Sequence, residues 1–265
     1  MNDNQYTIST LLRGLNLLAL FSQKTPSLSL TEIAAALDLN KTTAFRMVNT
    51  LTEAGYLLRD PDTKRYRPGI RVLQLGFAAL ANLELRQVAR PFLERLSQTV
   101  GETVSLSVLD GMEVIYIDRV RNRQIVGVVL GLGSRLPAHC ASMGKAMLAH
   151  LPPAELEQRL AQTTLSPCTP HSLVDQEALL AELEKVRRQG FAVNDQELEV
   201  GLRAVAAPVW DRTLQVVGAV NITGSAAMIS LDRLISELAP AVCQAAADIS
   251  HALGYSPEGV KPFES

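Results

Sequence analysis

Cysteine is scarce. The 265 residues hold three, Cys140, Cys168 and Cys243. They are far apart along the chain, and no pair has zinc-ligand or redox-motif spacing. Their odd number argues against a disulfide framework. They read as small buried or free thiols in a reducing compartment. Net charge is also small, -2, and alone points to no partner. No apolar run approaches membrane-spanning length. Residues 1–9 lack the charged-then-apolar plan of a secretory leader. A cytoplasmic protein with no membrane partner is expected. Internal repeats and low-complexity segments are missing as well.

What is present is a globular composition, 47% hydrophobic and 20% charged, in a chain long enough for two domains. Charge is unevenly placed. Residues 1–70 carry eight Lys/Arg against six Asp/Glu, and the remainder 17 against 21. A slightly basic segment on an acidic chain suits a local nucleic-acid surface.

The pattern predicts a helix over Ser9–Phe21, capped by Ser9 or Thr10, with Leu11, Leu15, Leu18 and Phe21 at helical spacing. Thr25-Pro26-Ser27 breaks it. Ser29-x-x-Glu32 then offers a capping box to a short helix with Ile33, Ala34 and Leu37 inward. Asp38-Leu39-Asn40 makes a tight turn. A third helix runs from Lys41 to Ala54 with Ala44, Val48 and Leu51 on one face, ended by Gly55. Two extended segments, Tyr56–Arg59 and Arg65–Pro68, flank a turn over 60–64. Residues 70–85 read as a linker helix. Beyond it, strands are expected over Thr103–Leu109, Val114–Val120, Ile125–Leu130, Ala204–Val209 and Val216–Thr223. Helices are expected over Ser142–His150, Ala154–Thr163, Gln176–Gln189 and Leu231–Leu253. The fold class is therefore α+β, with a mostly antiparallel sheet flanked by helices. The domain division is 1–69, a linker over 70–85, and 86–265.

Three helices and a hairpin in about seventy residues make the plan of a winged helix-turn-helix. With Ala44, Val48 and Leu51 inward, Thr42, Thr43, Arg46 and Asn49 or Thr50 face outward, with Lys41 at the helix start. Arg46 has the reach to hydrogen-bond guanine edges in a major groove. Thr31, near the second helix's start, offers its hydroxyl or amide to a phosphate. Lys64 and Arg65, with Arg67, put positive charge on the wing, and Arg13 adds a phosphate contact. A solvated charged face is the bland alternative.

Residues 7–76 resemble the DNA-binding domain and linker of the IclR (isocitrate lyase regulator) family, through "LSLTEIAAALDLNKTTAFRMVNTLTEAGYL" and "KRYRPGIRVLQLG". The resemblance continues through "GETVSLSVLDGMEVIYID", "GSRLPAHCASMGKAMLAHLP", "RRQGFAVNDQELEVGLRAVAAPV" and "VVGAVNITG". It implies a ligand-responsive regulator with a GAF/profilin-like effector domain. It also implies homodimers, often paired into tetramers, on a double-stranded operator.

A ligand cavity needs a few convergent polar groups. Residues 139–145 lead into a helix whose first amides, with the Ser142 hydroxyl, suit a carboxylate. Carried over from the family, the candidates are Ser142, Met143, Asn194, Ala204, Asn221 and Thr223. Leu130, Leu132 and Leu202 would form an apolar wall. Each is equally readable as core. Some family members carry Gly-Ala at 142–143, an acid at 194 and Cys at 204. This chain departs at each, which puts a two- or three-carbon keto acid in doubt. "SRLPAHCASMGKAMLA" and "DQELEVGLRAVAAPV" resemble the branch that governs aromatic-acid catabolism.

Enzyme readings are weaker. Ser142-x-x-Lys145 matches the motif of serine acyl enzymes, but its partner motifs are missing. Residues 144–146 do not make a phosphate-binding loop. Adjacent His139 and Cys140 rarely point at each other, so a buried thiol is the better reading. Asp195-x-Glu197-x-Glu199 reads as a solvated edge. No metal site, cofactor or catalytic residue is expected. The competing hypothesis is a hydrolase or transferase with an accessory winged domain.

Overall fold

We describe the protein from a computed structural model, over residues 8–22, 25–81, 84–121 and 130–256. It divides into two compact units, Met1–Asn82 and Leu83–Ser265.

The first unit holds α1 (Ser9–Ala19), α2 (Leu30–Ala36), α3 (Lys41–Glu53), a hairpin of β1 (Leu57–Arg59) and β2 (Tyr66–Pro68), and α4 (Ile70–Ala81). Local chemistry sets most boundaries. Ser29 and Glu32 form the expected capping box, with Ser29 N donating to Glu32 Oε2 at 2.6 Å. Asn40 Oδ1 accepts from Thr43 N at 2.8 Å and starts α3. Gly55 ends α3 with φ +76°. Tyr56 N donates to Leu51 O and Gly55 N to Thr52 O, the paired bonds that close a helix through a left-handed residue. Leu28 pairs with Tyr66 as a third short rung beside the hairpin.

A small core joins these pieces: Leu17, Ile33, Val48, Leu57 and Tyr66. Here α1 differs from expectation. Leu17 is buried, with Leu18 and Phe21 packed against the same cluster, while Leu11 and Leu15 are 61% and 56% exposed. Ile8, not Ser9 or Thr10, holds the N-cap position, with no side-chain cap. The leucine-rich run contains two overlapping apolar stripes, and periodicity alone does not choose between them.

The linker was expected as one helix over 70–85. α4 covers it to Ala81, and α5 (Glu84–Val100) is described from Glu84; residues 82 and 83 lie outside the described residues. α5 had no counterpart in the sequence reading. It carries Pro91 in its interior, yet buries Leu85, Ala89, Leu93 and Leu96.

The second unit continues with β3 (Thr103–Asp110), β4 (Glu113–Val120), β5 (Arg135–Pro137), a 3-10 turn (Ala138–Cys140), α6 (Ser142–Leu148), α7 (Pro153–Ala161) and α8 (Gln176–Gln189). Then follow β6 (Ala192–Asp195), β7 (Leu202–Trp210), β8 (Val216–Ser225), α9 (Leu231–Arg233), a π turn (Leu234–Leu238) and α10 (Ala239–Ala252). Six strands form one antiparallel sheet in the order β5-β4-β3-β8-β7-β6. The expected strand over 125–130 falls largely outside the described residues. β5 and β6 were not anticipated, being three and four residues long.

One sheet face packs on α5 and α10, the other on α6. Gly144 permits the close seat of α6: a Cβ there would lie 2.1 Å from Ala138 O. The main cluster between α6, α7, α8 and the sheet includes Met143, Met147, Leu148, Leu156 and Leu183.

Candidate functional site

In the first unit, the turn between α2 and α3 leaves one side of α3 free. Lys41, Thr42, Arg46 and Asn49 are exposed, Thr43 is partly so, and Ala44 and Val48 point into the core. Thr31 and Arg13 are also exposed. The hairpin turn is rigid: Asp60 Oδ1 accepts from Asp62 N, Thr63 N and Thr63 Oγ1 at 2.7–3.0 Å. These bonds, that from the Thr63 amide first, hold the Asp60 carboxyl below its ordinary range.

The wing cations are not equivalent. Arg65 turns back, donating to Ser27 Oγ at 3.1 Å and Ser27 O at 2.9 Å and pairing with Glu32 Oε2 at 2.8 Å. Lys64 Nζ reaches Pro61 O. Arg59 and Arg67 are exposed, with Arg59 over the Tyr66 ring. The sequence reading treated Lys64 and Arg65 as alike; the structure sets Arg65 to brace the wing against α2.

In the second unit, a cavity sits between the sheet and α6. Its lining includes eight of the nine candidates named from sequence for a ligand: Leu130, Ser142, Met143, Asn194, Leu202, Ala204, Asn221 and Thr223. Leu132, also named for the wall, is 44% exposed and does not line it. Ser105, Tyr116, Arg119, Ala141 and Leu198 complete the lining.

The strand register explains the convergence. Thr223 pairs with Ala204, and Ala204 with Asn194. Two residues along, Asn221 pairs with Ser105, and Ser105 with Arg119. Side chains directly across antiparallel strands share a face, so these form two polar rows. Arg119 and Tyr116 are three apart in β4 and would face opposite sides of a regular strand. A bulge in the β3–β4 pairing at Leu106/Ser107 lets Ser105 oppose Arg119 and Ser107 oppose Tyr116, which puts both on the cavity side. Asp118 thereby faces α5, where Arg90 Nη1 pairs with it at 2.8 Å.

The polar groups here are short of partners. Asn221 Nδ2 donates to Thr223 Oγ1 at 2.7 Å, but among the described residues the buried Asn221 Oδ1 has no partner. Arg119 Nη1 donates to Leu130 O at 3.1 Å, while its buried Nε has no partner among the described residues. Desolvation holds the Arg119 guanidinium below its ordinary value, and no carboxylate opposes that effect. Among the described residues no Asp or Glu lines the cavity. Burial also pushes the Tyr116 phenol up to about 12, so it remains a neutral hydroxyl. An unpaired cation beside buried donors is a site for an anion. The free volume is only about 20 Å³, room for about one water, so a larger ligand must displace side chains such as Met143 or Leu130.

Beside the cavity lies a buried ion pair. Lys145 is 1% exposed, and its Nζ pairs with Glu197 Oε1 at 2.6 Å. Desolvation raises the Glu197 carboxyl, opposed by the Lys145 charge. Glu197 N donates to Asn194 Oδ1 at 3.3 Å, which ties the pair to the lining. This corrects the solvated reading of Glu197 and accounts for Lys145 without acyl chemistry. His139 Nε2 meets Ser166 O at 3.0 Å, and Cys140 is buried, as the buried-thiol reading expects. Among the described residues no cluster of His, Cys, Asp and Glu could hold a metal ion, and no helix is long and apolar enough to cross a membrane.

Residues 10–61 match the family model described as the IclR helix-turn-helix domain, and residues 77–251 match bacterial transcriptional regulator IclR C-terminal. Similar proteins include the HTH-type transcriptional regulator XynR of Escherichia coli K12, 32% identical over 94% of this chain and 98% of its own. The HTH-type transcriptional repressor AllR of Salmonella typhi is 36% identical over 92% and 90%. The Pca regulon regulatory protein of Pseudomonas putida is 33% identical over 93% and 84%. Among solved structures, Thermotoga maritima IclR aligns with a TM-score of 0.71 at 32% identity, over 94% of this chain and all of that one. An IclR homologue from Microbacterium hydrocarbonoxydans, complexed with 4-hydroxybenzoate, aligns with a TM-score of 0.78 at 28% identity, over 93% and 100%.

Proposed function

The chain belongs to the IclR family of bacterial transcription regulators, a non-enzymatic family, and on that premise we propose that its second-unit cavity takes a small carboxylic acid whose binding sets operator affinity. The observation that carries this is Arg119, a guanidinium whose buried Nε has no partner, in a cavity lined by no carboxylate, among the described residues. A ligand carboxylate supplies the missing charge, and Ser105, Asn221 and Ser142 offer hydrogen bonds around it. Leu130, Met143, Leu198 and Leu202 form an apolar wall suited to an aromatic ring. The hydroxybenzoate-bound homologue and the Pca regulon relative support an aromatic acid. XynR and AllR are as similar in sequence, so the acid class rests on Arg119 and the ring on the wall.

On the DNA side, Thr42, Thr43, Arg46 and Asn49 read base edges, with Arg13, Thr31, Lys41 and Lys64 on phosphates. Residues 1–69 act as the DNA-binding part, 70–85 as the linker, and 86–265 as the effector part. A homodimer, with exposed Leu73 and Leu75 of α4 packing on a second copy, would present two winged heads to a palindromic operator. The ligand acts by favouring one arrangement of these heads, because equal affinity for both would shift nothing. Making room in a tightly filled cavity is where that difference arises.

The test is selection of duplexes from a randomised pool, followed by titration with candidate acids. The expected result is one enriched sequence, bound with altered affinity when an acid is added. Enrichment of a sequence whose affinity no acid changes would refute ligand control, and no enrichment would refute sequence-specific binding.

A further inference from the structure

A second cavity opens on the α10 side of the sheet, at the edge where β6 ends. β6 pairs with β7 only as far as Ala206. Among the described residues, β7 from Ala207 to Trp210 therefore has no strand on that flank. Pro208, which has no N–H to leave unpaired, sits on this edge. Ala206 packs in the cluster with α6, so Ala207 faces α10. Small residues, among them Gly190, Ala207, Ala246 and Ala247, leave a free volume of about 540 Å³ between β7, α10 and the end of α6. Small-molecule sites span roughly 300–1,000 Å³.

Aromatic rings line this space. Trp210 stacks on Tyr255 with centroids 5.7 Å apart, and meets His150 edge-on at 4.8 Å. Trp210 N donates to Ser250 Oγ at 2.9 Å and Tyr255 N to Ser250 O at 2.9 Å, which fixes both rings against α10. His150 Nε2 is buried and has no partner among the described residues. Burial first, and then the Arg187 charge, hold the His150 imidazole below its ordinary range, so it stays neutral and one ring nitrogen accepts. Asp248 is the carboxylate of the lining, partly buried, and its Oδ1 accepts from Gln244 Nε2 at 2.8 Å. Among the described residues no Lys or Arg lines the cavity, and its other imidazole, His251, is exposed.

We propose that this cavity binds a small organic amine in its cationic form, with the ammonium group at Asp248 and the apolar body among Trp210, Tyr255 and the alanines. A carboxylate unopposed by lysine or arginine, beside aromatic rings, suits an organic cation. With its proton on Nδ1, His150 accepts a ligand N–H at the unpartnered Nε2. The Arg119 cavity has the reverse polarity, a cation without a carboxylate, and the two cavities share no lining residue. The amine site therefore stands whether or not the first cavity takes an acid.

Trp210 is the chain's single tryptophan, so the intrinsic fluorescence of the full-length protein reports on this cavity directly. The test titrates benzylamine, phenethylamine and butylamine, each against its matching neutral alcohol. The expected result is a saturable change in Trp210 emission with at least one amine, and none with its alcohol. Asp248→Asn should weaken that amine about tenfold, while Asp248→Glu, which keeps the charge, should retain most of the affinity. Arg119→Met should bind the amine as the parent does. No saturable response to any amine, an equal response to the alcohol, equal affinity in Asp248→Asn, equal loss in both Asp248 variants, or loss of the response in Arg119→Met would each overturn the proposal.

Discussion

The two units place their polar side chains in opposite ways. In the first, the groups proposed to meet a partner are exposed, and the core beneath α3 is a handful of apolar residues. In the second, most of the polar groups are buried, and some of their atoms lack partners among the described residues. An exposed side chain costs the folded state little and can change with little effect on stability. A buried polar group is paired, or it weakens the fold until something pairs it. The first unit therefore separates binding from stability, and the second couples them.

The sharpest break in that comparison is Lys145→Met. It leaves the Glu197 carboxylate buried and uncompensated, and should cost about 3–5 kcal/mol, read by urea unfolding. A loss below about 1 kcal/mol would show the pair to be solvated. Arg46→Ala is the counterpart in the first unit. It should weaken the selected operator by about 1–3 kcal/mol, roughly 5- to 150-fold, with unchanged unfolding. Equal affinity would remove Arg46 from the readout.

Two smaller effects sharpen the contrast. Arg119→Met removes a partly buried cation with no counter-charge, so its stability should stay within about 1 kcal/mol of the parent or exceed it. Acid binding should nevertheless vanish, as calorimetry would show. A large destabilisation would mean that Arg119 has a structural partner. On the wing, Arg67→Ala or Lys64→Ala should lower the salt slope of DNA binding by about 0.9 each. Arg65→Ala should leave the slope unchanged and cost less than about 1 kcal/mol of stability, since its pair with Glu32 is largely exposed. A slope that falls with Arg65 and not with Arg67 would reverse those roles.

What was legible in the sequence follows the same division. The capping box at Ser29, the Asn40-to-α3 start and the Gln176–Gln189 helix all rest on contacts between near neighbours, so local pattern reveals them. The α3 faces were legible because a small core lets periodicity decide. Six of the cavity residues came from family resemblance and Leu130 and Leu202 from the expected apolar wall, and the structure brings the eight to one lining. Arg119 was missed because period two puts it opposite Tyr116, and only the bulge in the pairing turns both inward. Glu197 was missed because its partner lies on another element. α5 was missed through Pro91 and its polar residues, although Leu85, Ala89, Leu93 and Leu96 carried a helical spacing that was there to read. For Arg119 and Glu197 the deciding contact is distant in sequence.

The most direct measurement is a thermal-shift comparison of the parent chain and Arg119→Met against small carboxylic acids, hydroxybenzoates among them, and the matching neutral amides. A ligand that binds only the folded form raises the melting temperature. The account predicts a shift with an acid in the parent chain, none with its amide, and none with either in Arg119→Met. Equal shifts with acid and amide, or an acid shift that survives in Arg119→Met, would contradict it.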